Sequence, residues 1–358
     1  MGIFYATIIS TYILGFLARI AKEKNYKILA MLWIFLIILI LVLVSGFRYG
    51  IGDTGYYKLS YEQLAKNPSK IEFKGDFGFG LMSLFLTKFS TNPQILIFIV
   101  ALITNILNIF IINQYCSYLE LGVYLYITSG YYFVTMNGIR QCLAAALIFG
   151  CTKMLIRGNF IKYFIFIILI STFHGSALIM IPLYFVVRQE AWSKKMILFI
   201  IMTSIFIIFY TYLEPLFMNI LQYTSYGHYS EYYIGGSSII RTIVNLVPVI
   251  LAYIKREKLK EVFPESNIFV NICIINSVFV SLGMFNWIFN RLTIYFLLYN
   301  IILIPVIVRK CFNSKEKRIL YFGIIFCYFI FMYREQVIGM NTQYKSDYLN
   351  IKNIFYLK

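Results

Sequence analysis

The sequence predicts an all-α fold, a polytopic transmembrane helical bundle of about 12 spans, each needing roughly 20 apolar residues to cross a bilayer core of about 30 Å. Three observations point to it. Of 358 residues, 60% are hydrophobic and 13% charged, too little polar surface to clothe a water-soluble globule. Apolar runs such as 28–44, 95–112, 196–210 and 294–308 recur along the chain. The basic residues, which outnumber the acids 32 to 15, gather in alternate connections between such runs, as the positive-inside rule requires.

In chain order the spans are read at 3–18, 28–45, 93–112, 121–136, 138–153, 160–173, 175–187, 196–212, 240–254, 268–286, 291–308 and 319–333. The first has no basic stretch before it and no small-residue cleavage site after it, so it is expected to be retained. The apolar stretch 77–89 contains Gly78, Gly80 and Lys88, and at about 13 residues it has the length of an interfacial or re-entrant segment. With the N-terminus outside, the connections from Arg19 to Lys27, Lys153 to Lys162, Arg188 to Lys195, Lys255 to Lys260 and Arg309 to Arg318 face the cytoplasm. They hold more than half of the 32 basic residues and fewer than half of the 15 acids. Topology thereby accounts for the net charge of +17, and no nucleic-acid partner is needed. Residues 1–358 are read as a single integral membrane domain, with 46–76, 213–239 and the tail 334–358 extracytoplasmic. The functional surface is expected on that side.

Cys116, Cys142, Cys151, Cys273, Cys311 and Cys327 are scattered without CxxC spacing, which suggests neither a disulfide framework nor a zinc site. The two histidines, His174 and His228, lie too far apart for a recognisable metal box. Neither metal nor cofactor is expected.

An ionised side chain at the bilayer centre costs about 2.5–3.5 kcal/mol on insertion scales, so charges that interrupt apolar runs call for a reason. Arg48, Arg140, His174, Arg241 and Arg291 each fall at or near the outer end of a span. Arginines converging on one leaflet suit a strongly anionic ligand, because a guanidinium offers fork-like donors to phosphate oxygens and stays charged. Arg48 and Arg291 also read as anchors that snorkel to the headgroups. Arg140 is harder to explain so, since Asn137-Gly138-Ile139-Arg140-Gln141 lies between apolar stretches with hardly any loop. His174, between Phe173 and Gly175-Ser176, can take a proton near neutral pH or serve as a hydrogen-bonded helix contact. His228, in a polar loop beside Tyr226 and Tyr229, is the weaker candidate.

The stretch Arg48-Tyr49-Gly50-Ile51-Gly52-Asp53-Thr54-Gly55-Tyr56-Tyr57 lacks the strand-to-helix context and the Lys-Ser/Thr ending of a nucleotide cradle. Its glycines let backbone approach a ligand closely. Asp53 supplies a carboxylate, and Tyr49, Tyr56 and Tyr57 offer rings for stacking on sugars or for an interfacial aromatic belt.

In their order along the chain these blocks resemble the EpsG family of exopolysaccharide polymerases, related to the Wzy-type polymerases of lipid-linked oligosaccharide repeat units. The likeness is carried by Phe47-Arg48-Tyr49-Gly50 with Gly52-Asp53 and Tyr57, by Asn137 with Arg140-Gln141, and by Phe173-His174-Gly175-Ser176-Ala177 leading to Pro182. Asp76-Phe77-Gly78-Phe79 lies between them. The family commonly has Glu where Asp76 stands, and the second half matches only by hydropathy and by arginines such as Arg241 and Arg291. The resemblance implies a fold akin to the C-type glycosyltransferases. It also implies polymerisation of polyprenyl-diphosphate-linked oligosaccharide at the outer face of the bacterial cytoplasmic membrane, in capsule, exopolysaccharide or O-antigen biosynthesis, beside other polysaccharide-assembly membrane proteins.

On that resemblance Arg48, Arg140, Arg241 and Arg291 are expected on the substrate diphosphate, His174 or Asp53 on the acceptor hydroxyl, and Tyr49, Tyr57 and Gln141 on the sugars. A flippase or transporter of the same lipid-linked oligosaccharide is the alternative reading. It calls for charges exposed alternately to both sides, whereas these gather on one. A membrane O-acyltransferase would also use an embedded histidine, but no clear cytoplasm-facing acid and histidine pair accompanies it.

Overall fold

The computed structural model describes residues 1–70, 75–223 and 236–349, and every regular element among them is a helix. The chain opens with a hairpin of α1 (Gly2–Glu23) and α2 (Lys27–Gly46), turned at Asn25 in the left-handed region (φ 61°). Two short helices, α3 (Thr54–Lys66) and α4 (Phe77–Thr87), precede the long α5 (Gln94–Tyr115). The middle of the chain is more broken. It comprises α6 (Leu119–Thr128), α7 (Tyr131–Asn137), α8 (Ile139–Gly150), α9 (Thr152–Arg157), α10 (Phe160–Ser171), a 3₁₀ turn at Gly175–Ile179 and α11 (Met180–Val187). Then come α12 (Lys194–Ile208), α13 (Tyr210–Gln222), α14 (Ile239–Ile254), α15 (Arg256–Val262), α16 (Ser266–Leu282), α17 (Trp287–Leu292) and α18 (Leu297–Cys311). Last is α19 (Ser314–Met332), opened by an Asn313–Glu316 capping box and running into a π-helical turn at Tyr333–Gly339.

Among the described residues, four helical stretches are long and apolar enough to cross a membrane: α1, α2, α5 and 314–339. Two bent pairs, α12 with 210–216 (80°) and 287–295 with α18 (59°), raise the number to six. Where about 12 spans were expected, length and composition thus give four to six, because chain breaks cut the remaining apolar stretches into helices of 10–17 residues. One break is at Ser129-Gly130, where Gly130 takes φ 88°; another is at Gly138, between α7 and α8.

The apolar helices mark a membrane protein. Outward-facing side chains of α10, α12 and α19, among them Ile161, Leu169, Leu198, Met202, Phe322 and Phe326, are exposed and apolar, as suits contact with lipid. The interior holds polar ties instead. Asn105 donates to Ser45 Oγ (3.1 Å), Tyr126 to Asn105 Oδ1 (3.1 Å) and Asn108 to Tyr126 Oη (3.2 Å), joining α2, α5 and α6. α1 closes on α6 at Gly15, where a Cβ would lie 2.8 Å from Glu120 Cα.

At one end of the bundle the base-rich connections meet. Arg19 Nε donates to both carboxylate oxygens of the buried Glu120 (2.9 and 3.0 Å), Arg309 pairs with Glu23 (2.7 Å), and Lys310 bonds the Val262 carbonyl (3.1 Å). The region after α2 lies at the other end, where Gln94 donates to the Gly46 carbonyl (2.6 Å). Within 46–76 the structure places α3, and residues 71–74 lie outside the described residues. Of 213–239 and the tail, 224–235, with His228, and 350–358 lie outside them likewise.

Candidate functional site

Three chain breaks build the centre of the site. The first is the turn after α2. Gly52 takes φ 53° and presses so closely on Asn137 that a Cβ there would lie 2.0 Å from Asn137 Oδ1, so glycine is required on both counts. Asn137 Oδ1 accepts from the Asp53 backbone N–H (2.9 Å), while Thr54 Oγ1 donates to the Ile51 carbonyl (2.7 Å). The second break, at Gly138, opens α8 and sets Arg140 in its first turn.

The third break ends α10. There the N-terminus of α4 docks through a Gly78 N–H bond to the Thr172 carbonyl (2.8 Å), and the fit leaves no room for a side chain at 78. Docking delivers Asp76. Its Oδ1 accepts from the Gly175 N–H (3.1 Å), and its Oδ2 meets both His174 Nδ1 and an Arg140 guanidinium nitrogen at 3.0 Å. Burial disfavours charge on Asp76, but the hydrogen bond and charge of His174, the Arg140 guanidinium and the Gly175 N–H outweigh it and hold the carboxyl below its usual range. Asp76 is 15% exposed against 36% for Arg140, so the carboxylate sits behind and the guanidinium faces open space.

That space is a cavity of about 1000 Å³. Asp53, Tyr57, Arg140, Gln141, His174, Arg241 and Arg291 all line it, drawn from breaks far apart in the chain. Some are already engaged. Tyr57 is 6% exposed, and its ring lies under Arg140 (5.7 Å) and supports the guanidinium. Gln141 donates to the Arg291 carbonyl (2.8 Å), which ties α8 to α17, and the Arg291 guanidinium covers Trp287 at 4.8 Å. Arg241 pairs with Glu335 from the π-helical turn, and Ser238 Oγ donates to the same carboxylate (3.2 Å).

Two expected residues are not brought to the cavity. Arg48 is 1% exposed and turned inward, its Nε donating to Thr54 Oγ1 (3.0 Å) and Nη1 to the Ser45 carbonyl. It fixes the turn that carries Asp53, because a buried guanidinium must spend its donors on protein acceptors. Tyr49 lies outside the cavity lining, its ring capped by Lys58 Nζ (5.0 Å). Two residues escaped the sequence reading as members of the site, Asp76 and Glu335. For Asp76 a signal existed, a carboxylate directly before the Phe-Gly-Phe-Gly start of an apolar helix. Among the described residues no cluster of three His, Cys, Asp or Glu side chains can hold a metal ion.

Chemically the cavity offers guanidinium groups for an anion and an imidazole oriented by a carboxylate. With Nδ1–H donated to Asp76, Nε2 carries the free lone pair of a base. Compared with known families, the chain matches the EpsG family over residues 31–349. No curated protein and no solved structure matches it.

Proposed function

The chain belongs to the EpsG family, and from that premise we propose that it is an exopolysaccharide polymerase of the glycosyltransferase type. Its substrates in this reading are polyprenyl-diphosphate-linked oligosaccharide repeat units, joined at the outer face of the bacterial cytoplasmic membrane. The observation that carries the reading is the convergence of Arg140, His174, Arg241 and Arg291 on one cavity, with Asp76 bridging the first two. About 12 spans are retained by pairing short helices across their breaks, because irregular backbone at membrane depth is tolerated where it lines a polar cavity.

The donor is a glycan on polyprenyl diphosphate, and a hydroxyl of the next lipid-linked unit attacks its anomeric carbon. The new C–O bond forms as the bond from that carbon to diphosphate breaks, with inversion, and the hydroxyl proton passes to His174 Nε2. Asp76 holds the tautomer that makes this nitrogen the base. Negative charge grows on the departing diphosphate, and Arg140, Arg241 and Arg291 are the cations positioned for it. The Asp53 carboxylate orients the acceptor. Arg48, Tyr57 and Gln141 act through the turn, the guanidinium and the helix that they brace.

Purified protein in bilayers, given lipid-linked repeat units but neither nucleotide sugar nor ATP, is expected to yield a ladder of longer lipid-linked products. Arg140→Ala and His174→Ala are expected to abolish the ladder at normal membrane expression. Translocation without elongation, or normal polymer length in both variants, overturns the reading.

A further inference from the structure

The last described segment of the chain forms a strap beside the cavity. After the π-helical turn, residues 341–346 run without helix or strand. Three of its side chains anchor it. Thr342 Oγ1 donates to Gln336 Oε1 (3.2 Å), Tyr344 Oη to the Val44 carbonyl (2.9 Å) and Ser346 Oγ to the Phe47 carbonyl (2.6 Å). A backbone bond from Tyr49 N–H to the Lys345 carbonyl (2.8 Å) completes the attachment, and Gln336 is itself buried. Asn341 and Gln343 are exposed and line the cavity together with Thr342, and no other described residue is bonded to either amide.

We propose that Asn341 and Gln343 form a glycan subsite that binds ring hydroxyls of the acceptor oligosaccharide. An uncharged amide presents donors and an acceptor together, which matches a hydroxyl and not a phosphate, whose oxygens want donors alone. The anchors hold both amides on a fixed wall, so little freedom is lost when a sugar binds. Of the residues expected on the sugars, Tyr49 lies outside the cavity, Tyr57 lines it beneath Arg140 and Gln141 lines it bonded to the Arg291 carbonyl, so the strap adds two uncommitted amides to the wall. The inference rests on the polymerase reading for the identity of the ligand.

Two probes test it in direct binding to the reconstituted full chain: the repeat-unit oligosaccharide released from its carrier by mild acid, and sugar-free polyprenyl diphosphate. Asn341→Gly is used because residue 341 has φ 44°, where an alanine would be strained. Asn341→Gly with Gln343→Ala is expected to weaken oligosaccharide binding by about tenfold or more while leaving polyprenyl diphosphate binding within about twofold. Unchanged oligosaccharide affinity, no oligosaccharide affinity in the wild type, or equal loss for both probes overturns the subsite. Failure of the wild type to elongate, with the two-probe difference intact, overturns the polymerase reading and leaves the subsite standing.

Discussion

In the proposed reaction Asp76 holds a central place, because one of its carboxylate oxygens meets both the histidine and the arginine. Asp76→Asn keeps the shape but removes the charge, and elongation is expected to slow by about 10²–10⁴-fold, while Asp76→Glu retains more. Steady-state elongation rates of the two variants decide this. The pH behaviour follows from the lowered carboxyl. The stability that its contacts lend is present above the ordinary Asp value of about 3.9 and is lost as pH falls through the lower folded value. Thermal unfolding of wild type and Asp76→Asn should therefore differ near neutral pH and converge in strong acid. Arg48 calls for the opposite experiment. Arg48→Ala leaves the Ser45 carbonyl and Thr54 short of a donor, at a cost of about 1–3 kcal/mol. It should lower the unfolding midpoint more than Arg140→Ala does, since Asp76 then keeps His174 and the Gly175 N–H. Arg140 and His174 were legible in the sequence because a charge inside an apolar run stands out. Asp76 left only a partial signal, its place directly before an apolar helix, and its part in the site emerged when folding brought it to a histidine 98 residues away.

Among the elements, the unbroken helices were legible and the broken ones were not. The expected 28–45 became Lys27–Gly46, because an uninterrupted apolar run carries its own limits. Gly52 takes its positive φ where it presses on Asn137 from a distant segment, and a sequence does not announce such a contact. The segment from residue 213 was read as an outer loop, yet α13 continues there after an 80° bend from α12. Tyr212, Leu216 and Ile220 lie on one exposed face of α13 while Tyr210 packs inward against Phe285 and Phe289. A helix turned across the direction of a spanning helix, with an exposed apolar stripe, belongs in the plane of the membrane interface. A fluorophore on a cysteine at Leu216 should then be quenched by lipids labelled near the headgroup. Quenching by aqueous iodide alone would return the segment to solvent.

For the molecule as a whole, the two ends of the bundle have different jobs. At the base-rich end Glu120 is fully buried, bound by Arg19 and Tyr321, and Arg19 and Arg309 flank the Tyr118 ring at 5.2 and 5.1 Å. That network clamps α1, α6, α18 and α19, and Arg19→Ala should destabilise the fold by about 3–5 kcal/mol, since it strands a buried carboxylate. The opposite end holds the cavity, its arginines and the strap. The basic connections were legible as one set because the bilayer sorts charge before tertiary structure forms. If the membrane lies between the two ends, single cysteines replacing the exposed Tyr49 and Gln343 should react with an impermeant thiol reagent on intact cells. Cysteines replacing Lys258 and Glu316 should react only after permeabilisation. The reverse pattern would put the arginines and His174 in the cytoplasmic leaflet, where a growing polymer would still have to cross the bilayer, and polymerisation at the outer face would fall with it.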